Sequence, residues 1–271
     1  MPLKYSIREN MAPGNTILEK FRNLEEIGIE GIEITASSSV AHAGEIRKAS
    51  AETGVTPNIF SIRGSMGLLD ARHEERRRAA QDLKDALSLC GDLGGVGVIF
   101  PPLIAIKLQQ GHRIPDLSPL ATTAHLESRL LTEILKLDIG PHAEACGCSV
   151  IIEPLNRYEQ WWPCTLADGL DICNAVDSPG VTLMADFFHM SIEESDMADA
   201  IRKCGERITN VHLADSNRVL PGYGHTDFTP ALQALDDIGY EYFSGFECAI
   251  PPGNDPKAEL RKSIDYLNGL R

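Results

Sequence analysis

The sequence predicts an α/β fold, a (β/α)8 TIM barrel, on three observations. Its 271 residues fit one barrel of about 250 residues. Short β-branched runs alternate with stretches of 3.6-residue periodicity along the whole chain, the pattern of parallel strands joined by crossover helices. No G-x-G-x-x-G or phosphate-loop sequence follows any of those runs, as a doubly wound open sheet would normally place after its first strand. One catalytic domain over residues 1–271 is therefore expected, and 43% hydrophobic with 24% charged residues suits a chain with a sizeable core.

Eight runs read as strands: Leu3 to Ile7, Gly31 to Thr35, Asn58 to Ile62, Gly95 to Phe100, Ser149 to Leu155, Thr182 to Phe187, Asn210 to Ala214 and Ser244 to Ala249. After the first, Asn15 or Thr16 can cap a helix with the apolar stripe Ile17, Phe21, Leu24, Ile27, and Gly28 supplies a left-handed stop. The charge run Asp70 to Arg78 mixes signs at the start of a helix and reads as a solvated face. The segment Leu126 to Gly147 is helical in period but carries Gly140 and Pro141, which predict a kink or break. Thr229 and Pro230 open a helix over Leu232, Leu235 and Ile238 that stops at Gly239, and Asp255 with Pro256 opens the last one over Leu260, Ile264 and Leu267.

A net charge of -14 argues against a nucleic-acid partner, because affinity for a phosphate backbone comes from Lys and Arg replacing counterions. A small, neutral or metal-chelating substrate fits better. The longest stretch without a charge, Leu93 to Ile106, has 14 residues and two prolines, too short and broken to span a bilayer. No signal-like leader opens the chain, and a cytoplasmic protein is expected. Seven cysteines without regular spacing read as reduced thiols, Cys146 and Cys148 included, since these two fall where a helix hands over to a strand. The apolar loop Pro101 to Leu117 leaves a homo-oligomer open.

A barrel of this kind builds its site at the C-terminal ends of its strands. Four successive strands end in chemistry there: Glu153 on the fifth, Asp186 on the sixth, His212 on the seventh and Glu247 on the eighth. Each alone reads equally well as a cap or an ion-pair partner. Together, on strands about 4.8 Å apart, they converge, and three buried carboxylates call for a cation, since repulsion and desolvation would otherwise drive them to take up protons. Three carboxylates and one imidazole form a hard donor set, suited to Mn²⁺, Mg²⁺ or Co²⁺. Glu33, ending the second strand, reads either as facing the site or as part of an ion pair.

The segments IIEPLNRYE (151–159), LMADFFHMSIEE (183–194), HLADSNRVLPGYGH (212–225) and FECAI (246–250) resemble the strand ends of the xylose-isomerase-like sugar isomerases and epimerases, above all the D-tagatose/D-psicose 3-epimerase branch. That resemblance implies one divalent ion, Mn²⁺ foremost with Mg²⁺, Co²⁺ or Zn²⁺ as alternatives, on Glu153, Asp186, His212 and Glu247. It also implies acid/base roles for Glu153 and Glu247, and substrate contacts from Glu159, His189 and Arg218. The expected activity is a ketose 3-epimerase working by proton transfer through a metal-bound enediolate; the alternatives are a dehydratase or lyase on an oxidised sugar or glycoside, and a 1,2-aldose-ketose or hydroxypyruvate-type isomerase. Trp161, Trp162 and Pro163, with the Pro101 to Leu117 loop, depart from the pattern and are expected to wall or cover the substrate.

Overall fold

The computed structural model describes residues 3–35, 41–62 and 67–271. Eight parallel strands close into a barrel in sequence order: β1 (Lys4–Arg8), β2 (Gly31–Thr35), β3 (Thr56–Ser61), β4 (Gly97–Phe100), β5 (Ser149–Ile152), β6 (Val181–Asp186), β7 (Ile208–Leu213) and β8 (Phe243–Phe246), with β8 pairing back onto β1. All eight expected strands are present. Their edges differ where the backbone cannot continue the ladder: β5 stops at Ile152 because Pro154, two residues on, has no N–H to give, and β1 runs one residue further than expected, to Arg8.

Two apolar layers hold the barrel. Outward residues such as Val150, Ile152, Leu183 and Val211 join the helices in the larger core, while Ile59, Ile99, Ile151 and Met184 form a separate cluster inside the barrel. Strand side chains alternate in direction. The positions two residues beyond Ile151 and Met184 on the same face are Glu153 and Asp186, so the apolar plug hands over directly to charged groups at the C-terminal mouth.

The helices start where the sequence signals them. Thr16 is the cap of Ile17–Ile27, forming a reciprocal capping box with Glu19, and Gly28 ends that helix at φ 87°. Asp255 accepts from the N–H groups of Lys257 and Ala258 at the head of Pro256–Asn268. Between residues 123 and 146 the expected kink or break is a change of pitch. The helix Thr123–Ile134 passes through a π turn, Leu135–Ile139, into Gly140–Cys146, so Pro141 sits in a first turn where its missing N–H costs little.

The Asp70 to Arg78 run is only partly a solvated face, which corrects the expectation for its first residue. Asp70 is 2% exposed; its carboxylate accepts from the Arg72 N–H at 2.8 Å, the Arg72 guanidinium at 2.8 Å and the His112 N–H at 3.0 Å. A charge in a mixed run is buried here because it ties two loops together. All seven cysteines are free thiols, and among the described residues no helix is long and apolar enough to cross a membrane.

Gly97 shows how closely the barrel wall is packed. A Cβ there would stand 2.4 Å from the Ser149 carbonyl oxygen and 2.7 Å from Ile151 Cγ1, whereas one on Gly44, in the helix Ala43–Thr53, would meet nothing within 4 Å. Gly97→Ala is expected to cost about 1–3 kcal/mol through overpacking, and Gly44→Ala to be neutral or to stabilise by about 0.4–1 kcal/mol. Thermal melts of the two variants beside the parent protein check both.

Candidate active site

Backbone register brings the charged residues together. Asp186 pairs directly with His212 across β6 and β7, and Arg8 with Glu33 across β1 and β2. The N–H of Glu153 reaches the Phe100 carbonyl at 3.1 Å, and that of Glu247 reaches the Leu213 carbonyl at 3.3 Å, so both glutamates stay in the barrel layer just past their strands. Glu153, Asp186 and His212 are buried, and Glu247 nearly so.

His212 is the hub. Its Nδ1 lies 3.3 Å from Asp186 Oδ2, 3.4 Å from Glu247 Oε2 and 3.8 Å from Glu153 Oε1, while Nε2 meets Glu33 Oε2 at 2.9 Å. A carboxylate accepting from one ring nitrogen of a histidine fixes which nitrogen is left to face a ligand, the usual arrangement behind a metal-binding imidazole. Asp186 is divided in the same way: Oδ1 caps the helix Phe187–Glu193 by accepting from Phe188 and His189 N–H, and Oδ2 is turned to the cluster. Oxygen and nitrogen atoms of Glu153, Asp186, His189 and Glu247 also lie within 4.8 Å of one another, so both imidazoles border the carboxylate trio. The donor set fits a hard divalent ion. His212 Nδ1 lies 3.3 Å, 3.4 Å and 3.8 Å from the three carboxylates, and His189 Nε2 stands 3.9 Å from Asp186 Oδ2.

The three residues expected to bind substrate ring this cluster. His189 Nδ1 accepts from the backbone N–H of Asn156 at 3.2 Å and its amide at 2.7 Å, which leaves Nε2 as a buried N–H without a partner. Such an orphan donor points to a polar ligand. Glu159 accepts from Asn156 and from Arg218 Nη1 at 3.1 Å; Arg218 Nη2 reaches Glu247 at 3.2 Å, with its guanidinium 4.6 Å from the centre of the Phe188 ring. Arg218 adopts φ 56°, a conformation a non-glycine residue holds only when its loop compels it.

Electrostatics divide the two outer glutamates. Burial, and then the neighbouring Glu247, push the Glu153 carboxyl well above the usual carboxylate range. Burial would raise Glu247 too, but His212, Arg8 and Arg218 together hold it well below that range. His212, with Glu247, Asp186 and Glu33 outweighing its burial, is pushed well above the usual imidazole range. The expectation that desolvation and repulsion drive buried carboxyls to take up protons agrees with Glu153, whereas Arg8 and Arg218 with His212 offset both effects at Glu247.

Arg8 and Asn156 escaped the sequence reading. Arg8 lay one residue past the predicted end of β1, and a period of two from Ser6 was the signal available. Glu33 does both of the things proposed for it, facing His212 and pairing with Arg8 at 3.1 Å. Trp161 lies under the Arg113 guanidinium, 4.3 Å from its ring centre, and Lys107 donates to the Arg157 carbonyl at 2.5 Å, so the loops after β4 and β5 are joined at the mouth.

Residues 21–270 match the model of the family described as xylose isomerase-like TIM barrel. Over 254 residues, 93% of this chain and 94% of the other, the sequence is 30% identical to the 3-dehydro-D-guloside 4-epimerase of Escherichia coli (strain K12). It is 37% identical to a D-psicose 3-epimerase of Enterocloster bolteae, over 49% of this chain and 44% of that one. The crystal structure of apo 3-keto-D-glucoside 4-epimerase from E. coli superposes with a TM-score of 0.85 at 27% identity, covering 98% of this chain and 99% of that one.

The loop that bears Arg218 is organised by Asp215, which is 1% exposed and accepts from the N–H groups of Ser216 at 2.8 Å, Gly222 at 3.0 Å and Thr226 at 3.0 Å. Burial would raise its carboxyl, yet the backbone N–H groups of Thr226, Ser216 and Gly224 hold it below the usual carboxylate range. A depressed folded-state pKa gives stability that is present above the unfolded value, about 3.9, and is lost as pH falls through the folded one. Asp215→Ala should cost about 1–3 kcal/mol for each donor orphaned. Melts from pH 7 to pH 3 should show the gap from the parent protein widest at neutral pH and narrowing below about pH 4.

Proposed function

This chain belongs to the xylose isomerase-like TIM barrel family, and we propose that it is a cytoplasmic, metal-dependent epimerase that inverts a sugar carbon next to a ketone, with residues 1–271 acting as one catalytic domain. The observation that carries the reading is the placement of Glu153 and Glu247 on nonadjacent strands, their carboxylates 3.8 Å and 3.4 Å from one His212 nitrogen, so that they can address a substrate from two sides.

One divalent ion, Mn²⁺ or a similar hard cation, would be held by Glu153, Asp186, His212 and Glu247. Bound there, it would polarise the substrate carbonyl and lower the cost of charge that forms when the adjacent carbon loses its proton. Glu247, kept ionised by its two arginines, takes the proton from one face. Glu153, on a nonadjacent strand across His212, returns one to the other face, and the reverse reaction exchanges the roles. Arg218, Glu159 and the free N–H of His189 orient the sugar oxygens, and the buried setting excludes bulk water from the exchange.

Two substrate classes fit this chemistry. A free ketose with its carbonyl at C2 would be inverted at C3, the reaction named for the D-psicose 3-epimerase relative. A glycoside oxidised at C3 would be inverted at C4, the reaction named for the relative that matches over 94% of its length, and that coverage favours it as a second reading. A small-molecule sugar is the substrate in either case.

Incubation with Mn²⁺ in D₂O, with ketoses in one series and 3-keto-glycosides in another, separates them by NMR. Deuterium at C3 with the C3 epimer is expected from a ketose, and deuterium at C4 with the C4 epimer from a keto-glycoside. Label at C1 with an aldose product would make the protein an isomerase, loss of water or aglycone a lyase, and exchange with neither series would end the epimerase reading. Glu153→Gln and Glu247→Gln are each expected to reduce turnover by about 10²–10⁴-fold; near-parental turnover in either removes that residue from the proton transfer.

A further inference from the structure

Strand β1 ends in a charge that the four metal donors do not include. Arg8 places Nε 3.1 Å from Glu33 Oε1, an ion pair without hydrogen-bond geometry, and donates from Nη1 to Glu247 Oε1. Glu33 uses its second oxygen on His212 Nε2 at 2.9 Å, and His212 turns Nδ1 toward Glu247 Oε2 at 3.4 Å. Four side chains from four strands thereby close a ring, Arg8 to Glu33 to His212 to Glu247 and back to Arg8.

Each link in the ring uses a separate atom. No member can swing to another rotamer without breaking two contacts, and Glu33 and His212 are only 5% and 2% exposed at the side chain, so water is poorly placed to replace what is lost. The register supports the closure, since Arg8 lies directly opposite Glu33 while Ile7 pairs with Phe246, one residue before Glu247. A guanidinium is suited to the corner position because its planar fork can hold two carboxylates at a fixed angle, whereas an ammonium is a single rotating charge.

We propose that Arg8 is a positioning residue of this site: its guanidinium orients Glu247 directly and the ligand-facing Nδ1 of His212 through Glu33, assembling the donor set before an ion arrives. The inference rests on reading Glu153, Asp186, His212 and Glu247 as a metal centre.

A plain counter-charge would act with the opposite sign. If Arg8 contributed charge alone, its removal would take a cation away from a dication and tighten binding. If it contributes orientation, its removal loosens binding, by about the 10–100-fold that outer-shell partners of metal ligands typically govern. The two roles separate in the full chain stripped of metal by a chelator and titrated with Mn²⁺, with free ion read by electron paramagnetic resonance.

Arg8→Gln and Arg8→Lys are each expected to weaken Mn²⁺ binding by about 10–100-fold, to broaden the bound-ion spectrum, and to leave the circular dichroism of the metal-free protein unchanged. Glu33→Gln should weaken binding as well, and the Arg8→Gln/Glu33→Gln double variant should lose less than the product of the single losses, because both act along one path. Unchanged or tighter binding in Arg8→Gln, or full parental affinity and line shape in Arg8→Lys, overturns the positioning role. Should Arg8→Gln fail to fold, Arg8→Lys decides alone. Parental protein that binds no Mn²⁺, or Asp186→Asn binding as tightly as the parent, overturns the metal centre itself, an outcome read without any Arg8 variant.

Discussion

Negative charge concentrated in one buried layer is the constraint to which the mouth of this barrel answers. Glu33, Glu153, Asp186 and Glu247 lie within two contacts of a single imidazole, in a setting where an uncompensated carboxylate would rather be protonated than charged. Compensation comes from three sources: Arg8 and Arg218 on Glu247, helix N–H groups on one oxygen of Asp186, and the proton affinity left on Glu153 and His212. A dication would take over part of that compensation, displacing the proton from the imidazole nitrogen it binds.

The barrel supplies this layer cheaply. A period of two along each strand sets Ile151 below Glu153 and Met184 below Asp186, so the same alternation that packs the interior aims the ligands. The stiff wall matters for the same reason. The wall is close-packed at positions such as Gly97, and a site built on a closely packed wall has less reorganisation to undergo when it works.

Much of this was legible in the chain itself. The eight runs, the order of the strands and the convergence of Glu153, Asp186, His212 and Glu247 followed from periodicity and from asking which strand ends carry polar residues. The features missed have physical causes. Arg8 sits one residue beyond a predicted strand edge, the least determinate part of such a reading, and nothing local marks it as a partner of Glu247, 239 positions away. Asp70 looked like one more charge in a solvated run because its partner is the His112 N–H, a contact between loops distant in sequence. Gly140 and Pro141 signalled a kink or a break, and the chain meets them with one widened turn, Leu135–Ile139, just before them. Local pattern reads what a residue is near in the chain; Arg8 and Asp70 depend on what they meet across the fold.

The unequal treatment of the two glutamates is the feature that best connects charge balance to chemistry. Glu247 is gripped by two guanidiniums, while among the described residues the Glu153 carboxyl has its ion-pair contact with His212 at 3.8 Å and feels Arg8 from further off. A gripped carboxylate is a poor proton carrier in isolation, since its partners favour the charged form; beside a loosely held, desolvated neighbour it becomes half of a donor and acceptor pair poised in opposite states. An epimerisation needs such a pair, because the proton removed from one face must be matched by one delivered to the other without either group first being reset by bulk water. A one-face isomerisation would gain nothing from the split. The placement of two carboxylates on nonadjacent strands therefore bears more on epimerase chemistry than the donor set does, since the whole range of metal-assisted sugar reactions could use that set.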